Sequence, residues 1–203
     1  TSASIDKEAL EMMGAEARVY LPNRFTDGYG PNESVYKYFI EQEGISLIIT
    51  VDNGVAGNEA IAYAQEQGVD VIVTDHHSMP SQLPEAYAIV HPEHPGADYP
   101  FKYLAGCGVA FKIATALLET IPTEMLDLVA IGTIADMVSL TDENRIMVKV
   151  GLEILKTTER IGLQELLRIS EVDLTTISEE TVAFKIAPQL NALGRLDDPN
   201  PAI

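Results

Sequence analysis

The sequence predicts an α/β chain, with a parallel sheet flanked by helices followed by a mainly helical segment. Three observations carry this. The runs 46–52 and 69–75 are apolar, rich in β-branched residues, and each ends in an aspartate. A stretch of helical spacing separates them, and beyond residue 108 the apolar spacing is helical almost throughout. Continuous apolar strands alternating with helices belong to parallel sheets covered on both faces. The 203 residues suffice for one sizeable domain and part of a second. The expected division is a sheet-bearing core over 1–157 and a helical extension over 158–203.

In chain order, 17–21 is short and β-prone, and 32–42 has the helical spacing of Val35, Tyr36, Phe39 and Ile40. The strand run 46–52 follows, then a helix over 57–67 closed by Gly68, the strand run 69–75 and a third strand over 86–90. Helices are expected over 108–120, 124–134, 145–156 and 179–193, with Gly-, Pro- and Asp-punctuated loops over 92–99 and 196–201. In such sheets ligands sit beyond the carboxyl ends of the strands, the position of Asp52 and Asp75.

Composition narrows the function. Hydrophobic residues at 46% and charged ones at 22% are ordinary for a folded domain. The longest apolar runs, 45–51 and 126–134, are too short to cross a bilayer, so no membrane partner is expected. The single cysteine, Cys107, makes no internal disulfide, which points to a reducing cytoplasm, and no adjacent base equips it as a nucleophile. With 31 acidic against 13 basic residues the net charge is -18, which argues against a broad grip on a phosphate backbone. A nuclease is still compatible, because a carboxylate-rich site turns locally positive once divalent cations fill it.

Three islands carry the candidate chemistry: Asp52-Asn-Gly54, Asp75-His76-His77, and Gly132-Thr-Ile-Ala-Asp136. Each has a plain alternative, since Asp-Asn-Gly is a common turn and Asp-His-His a polar loop. Asp136 is harder to dismiss, because it ends an apolar, small-residue helix where a lone carboxylate is costly and calls for a cation. Two strand-end aspartates, a histidine pair and a helix-end aspartate suit Mn²⁺ or Mg²⁺ better than a thiolate zinc site.

VDNG, then DHH, then GTIADMV, in that order, resemble the second, third and fourth motifs of the DHH phosphoesterase superfamily. The segments Arg24–Asn32, Leu104–Lys112 and Ala187–Arg195 resemble its RecJ branch of single-strand-specific exonucleases. The family's first motif has the form D-x-D-x-D-G-x-T-S, and this chain opens on Thr1-Ser2, so the resemblance implies that the chain starts within that motif and stops short of further domains. Gln189 stands where many relatives carry arginine. The resemblance implies two divalent cations, Mn²⁺ or Mg²⁺, in the intact enzyme. Asp52 would be shared between them, His76 and Asp136 would be terminal ligands, and Asp75 would ligate or orient. His77 would face the scissile phosphate. It also implies hydrolysis of single-stranded DNA from the 5' end to 5'-mononucleotides in repair and recombination, with a helicase or single-strand-binding protein as partner.

Substrate contacts are expected from Gly106, Gly108 and Lys112 at a helix start, from Asn191 and Arg195 at a helix end, and from Tyr29 by stacking. A capped helix with a solvated lysine is the plainer reading of the first group. Phe111 stacks or packs in the core, and His91 and His94 are expected at the surface. Two alternatives remain: a DHH hydrolase of short oligonucleotides, cyclic dinucleotides or pyrophosphate, and a non-catalytic scaffold. The 203-residue chain alone is expected to be poorly active.

Overall fold

The computed structural model describes residues 1–23, 26–196 and 200, without the side chains of 193, 195 and 196. Strands β1 (Leu47–Val51), β2 (Asp70–Thr74) and β3 (Ala88–Val90) form a parallel sheet in the order β1-β2-β3, with Val51 opposite Thr74 and Thr74 opposite Val90. All three therefore end at one edge of the sheet, and Asp52, Asp75 and His91 each follow a strand there.

Helices α1 (Ser2–Met12), α2 (Glu33–Glu43) and α3 (Asn58–Glu66) come from the first half of the chain. The Oδ1 of Asn32 accepts from the backbone N–H groups of Ser34 and Val35 and so caps α2, which stops at Gly44 in the left-handed region (φ 63°). Tyr36 of α2 and Ala60, Ile61 and Ala64 of α3 pack on Val71 and Val73 of β2, closing one face of the sheet. Five residues, 17–21, expected as a strand, are not one. Their backbone pairs with a side chain instead, Leu21 donating to Asn200 Oδ1 (2.7 Å) and accepting from its Nδ2 (3.0 Å), while Tyr20 stacks edge-on against Phe39.

The second half is helical: α4 (Gly106–Leu118), α5 (Leu126–Ala135), α6 (Asp142–Leu155), α7 (Ile161–Ile169), the single turn α8 (Glu179–Thr181) and, after a π turn over Val182–Ile186, α9 (Ala187–Leu196). Helices α1 and α7 were not foreseen. Nearly every side chain of α5 is buried, as expected for a helix apolar on all sides. Its approach to α6 depends on Gly151, where a Cβ would stand 2.1 Å from the Leu126 carbonyl oxygen. One core joins α1, α4, α5 and α6 with Leu163 and Leu167 of α7 and with Val182 and Ile186.

Two buried aspartates in this layer contrast sharply. Asp127 of α5 accepts from Thr158 Oγ1 (2.7 Å), from Arg160 Nε (3.2 Å) and from the N–H of Leu128, and Arg160 reaches on to Glu8 of α1 (2.7 Å). This buried charge is satisfied, and it ties α1, α5 and the start of α7 together. Asp6, on the buried face of α1, has no hydrogen-bond partner on either oxygen among the described residues. Burial pushes its carboxyl up to about 7.

Because the Asp6 pKa is raised on folding, its carboxyl favours the folded state least when ionised. Stability should fall as pH rises from about 4, where the unfolded group titrates, to about 7, where the folded one does. Asp6→Asn removes the charge without changing shape. Denaturant melts should show the variant close to the parent at pH 4 and more stable at pH 8, by up to about 4 kcal/mol at 1.36 kcal/mol per pKa unit. A difference that does not change with pH would contradict this.

Candidate metal centre

The site is built at the carboxyl edge of the sheet. After β1 the chain turns through Asp52-Asn53-Gly54. Asp52 holds a left-handed backbone (φ 62°) and donates its N–H to the Thr74 carbonyl (2.9 Å). Thr50 Oγ1 donates to the Asn53 carbonyl (2.7 Å), and Asn53 Nδ2 donates to the Val51 carbonyl (3.0 Å). Gly54 is required here, since its φ is 119° and a Cβ would meet Thr50 Oγ1 at 2.4 Å. A non-glycine residue in the left-handed region stores strain, and here it falls on a residue of the site.

After β2, Asp75 is 1% exposed and both of its carboxylate oxygens are hydrogen-bonded. Oδ1 accepts from the N–H groups of His76 (2.7 Å) and His77 (3.1 Å) and faces His77 Nδ1 at 2.6 Å, while Oδ2 accepts from Val55 N–H (3.1 Å). Burial alone would raise its pKa, but these hydrogen bonds outweigh it and hold the carboxyl below its usual range. Three of these contacts converge on Oδ1 and one reaches Oδ2. Asp75 thus orients the histidine pair, and the structure does not bring it into the group of free ligand atoms.

His76 points the other way. Its side chain is 11% exposed, and Nε2 lies 3.1 Å from Asp52 Oδ1 and 3.5 Å from Asp136 Oδ2 without an aligned hydrogen bond. Burial would lower the imidazole pKa, but the hydrogen-bonding and charge contributions of Asp52, with the charges of Asp136 and Asp75, hold it above its ordinary value. Asp136, the residue closing α5, is shifted upward by burial and by the Asp52 charge, against the opposing pull of His76 and His77. Ligand atoms of Asp52, His76 and His77 lie within 4.8 Å of one another. The His77 ring is 59% exposed, stands 4.6 Å from the His76 ring and is held at Nδ1 by Asp75, which leaves Nε2 for a ligand. Two carboxylates around a buried imidazole nitrogen that makes no aligned hydrogen bond among the described residues are a donor set that fits a hard divalent cation.

Sequence reasoning did not anticipate what presses on Asp52. Gly106, the first residue of α4, lies so close that a Cβ there would fall 2.2 Å from Asp52 Cγ, and Ser2 Oγ donates to Asp52 Oδ2 (3.3 Å). Gly108 faces Leu104 and Met147 in the core rather than the site, so any phosphate contact from it is limited to its N–H. Lys112 is paired with Glu143 (3.1 Å), which also accepts from Tyr99 (2.7 Å), beside a cavity of about 280 Å³ walled by Ile89, Pro92, Leu104 and Val109. Tyr29 is 81% exposed, and Asn191 lies exposed on α9. The side chain of Arg195 lies outside the described residues, as do Arg24 and Phe25. Phe111 is core. The Cys107 thiol, pushed up to about 12 by burial, fills the space beside Gly132. His91, expected at the surface, is 5% exposed, because backbone groups satisfy both of its ring nitrogens.

Gly106→Ala should force the Asp52 carboxylate aside. Calorimetric titration with Mn²⁺ should show affinity weakened by roughly 10- to 100-fold, the scale of losing a ligand's support, with circular dichroism unchanged. Undiminished affinity would show that Asp52 is not a ligand.

The geometry agrees with what comparison shows. The family model described as the DHH family, N-terminal domain, matches residues 1–133. The single-stranded-DNA-specific exonuclease RecJ of Bacillus subtilis (strain 168) is 52% identical over 203 residues, which is 100% of this chain and 26% of that protein. A crystal structure of exonuclease RecJ bound to manganese superposes with a TM-score of 0.86 at 32% identity, covering 99% of this chain and 51% of that one. RecJ in complex with Mn²⁺ from Thermus thermophilus gives a TM-score of 0.81 at 32% identity, over 98% of this chain and 29% of that one. The chain thus spans about a quarter of the length of the Bacillus relative. Matched from Thr1 to Thr133, with the fold of its solved relatives built around the strand-end acids, the chain belongs to the DHH family.

Proposed function

We propose that this chain is the catalytic part of a metal-dependent phosphodiester hydrolase, a 5'-to-3' exonuclease that releases 5'-mononucleotides from single-stranded DNA. The observation that carries the reading is the meeting of Asp52 and Asp136 around the buried His76 Nε2, at 3.1 and 3.5 Å. The similarity to RecJ exonucleases, with two solved structures that hold manganese, supports the substrate and the metal.

In this reading Asp52, His76 and Asp136 would hold Mn²⁺ or Mg²⁺, with two ions expected in the intact enzyme. When bound, such cations supply positive charge against the phosphate and lower the pKa of an attacking water. The chain's own groups do the rest. Asp75 fixes the backbone and the ring of His77, so that the exposed Nε2 of His77 meets the scissile phosphate. The N–H groups at the start of α4, beside Asp52, offer a second anion contact, with Lys112 and Tyr29 farther along the strand's path. Asn191 and Arg195 of α9 are assigned to the same path.

The protein works in the cytoplasm in this account, on single strands exposed by a helicase or held by a single-strand-binding protein. Among the described residues no helix is long and apolar enough to cross a membrane. The charge of -18 favours a second reading, a hydrolase of short oligonucleotides, cyclic dinucleotides or pyrophosphate.

The test is a time course on 5'-phosphorylated single-stranded DNA, using the native-length protein with Mn²⁺ and a chelator control. Stepwise release of mononucleotides from the 5' end is expected, abolished by chelator and reduced at least roughly 100-fold by Asp136→Ala. Turnover of dinucleotides or pyrophosphate, with long DNA left intact, would transfer the function to the second reading.

A further inference from the structure

The last residue at the site edge of the sheet is His91, which directly follows β3 and is 5% exposed. Its ring is bound on both sides by main chain. Nε2 lies 2.8 Å from the His77 carbonyl oxygen, and Nδ1 accepts from the N–H of Glu93 (3.0 Å). A backbone N–H only donates and a carbonyl only accepts, so the two bonds fix one tautomer: neutral, with the proton on Nε2 donated to His77.

That bond matters because of what it holds. Residues 75–77 form no regular element, so hydrogen bonds at the entry, middle and exit of the turn place them. The Asp75 N–H donates to the Val90 carbonyl (3.2 Å) at the entry of the turn, and the Asp75 carboxylate takes the N–H and Nδ1 of His77 in its middle. At the exit, the His77 carbonyl is tied to His91. The ring of His77 is otherwise 59% exposed. Without the exit tie, the peptide after His77 is free to rotate, and the bond to Asp75 has to hold the imidazole unaided.

We propose that His91 is a positioning residue for His77, fixing the direction in which His77 Nε2 is presented to the scissile phosphate. It contributes no ligand atom and touches no substrate. This role rests on the reading of His77 given under Proposed function, and its structural half can be tested without substrate.

The experiment compares His91→Phe, His91→Gln and His91→Asn in the native-length protein. Phenylalanine fills the space without a donor. The Gln amide reaches the place of Nε2, and the shorter Asn amide reaches only that of Nδ1. Two readouts are taken: the ¹⁵N-correlated NMR signal of the His77 Nδ1–H in the Mg²⁺-loaded protein, and the kcat, KM and Mn²⁺ affinity of the exonuclease. The expected result for His91→Phe is a shifted or broadened His77 signal and kcat lowered roughly 10- to 100-fold, with Mn²⁺ affinity and Tm near the parent's and both effects largely restored in His91→Gln. An unchanged His77 signal in a folded His91→Phe overturns the proposal whatever the substrate proves to be. So does a loss of kcat that merely follows lost metal affinity or lowered Tm. If His91→Phe does not fold, the other pair decides: a sharp His77 signal in Gln with a broadened one in Asn supports the proposal, and identical behaviour overturns it. A parent inert on DNA but with the expected NMR pattern would refute the exonuclease reading and leave the positioning role intact.

Discussion

Asp52 and Asp136 carry like charge and face the same nitrogen, His76 Nε2, at 3.1 and 3.5 Å. Two carboxylates brought this close repel unless positive charge stands between them. His76 is shifted upward by Asp52, Asp136 and Asp75 against its burial, and Asp136 is shifted upward first by burial and then by the Asp52 charge. Much of the surrounding fold brings the three groups together. The parallel register puts the ends of β1 and β2 side by side, and the all-buried α5 delivers Asp136 from the opposite layer. Gly106 lets the start of α4 close down on Asp52.

Around that centre the acids divide by what surrounds them. Asp75 and Asp127 are each 1% exposed, yet each is satisfied by several donors, and they act as anchors. Asp52 and Asp136 are more open, and among the described residues Asp52 has only Ser2 Oγ as a hydroxyl donor, which leaves carboxylate oxygens for a ligand. Asp6 is buried with no donor among the described residues, and its ionised form costs stability. The same side chain thus does three kinds of work, and hydrogen-bond supply separates them.

Where a feature could be read in the sequence, the signal was local. The runs ending at Asp52 and Asp75 announce parallel strands by their unbroken β-branched character, and strand ends are where such sheets bind ligands. Asp136 stood out as a charge closing an apolar helix. Helix α1 was hidden because Ser2 and Asp6 interrupt its buried face, and α7 because its N-cap position is Arg160, whose side chain makes no cap bond. The expected strand at 17–21 had the right residues but finds no partner strand among the described residues. The division of labour between Asp75 and Asp52, the pressure of Gly106 on Asp52, and the hold of His91 on His77 all depend on contacts between different strand ends and helices. No periodicity encodes those contacts, so the residue types were visible while their assignments were not.

The central claim is that one cation sits among Asp52, His76 and Asp136 while Asp75 stays outside its coordination. Anomalous diffraction at the manganese edge, from crystals of the native-length protein grown with Mn²⁺, tests it most directly. The account predicts an anomalous peak in bonding contact with Asp52, His76 Nε2 and Asp136, with the Asp75 carboxylate still bound to His77 and Val55. A peak ligated by Asp75 and not by His76, or no peak at this edge of the sheet, would contradict it.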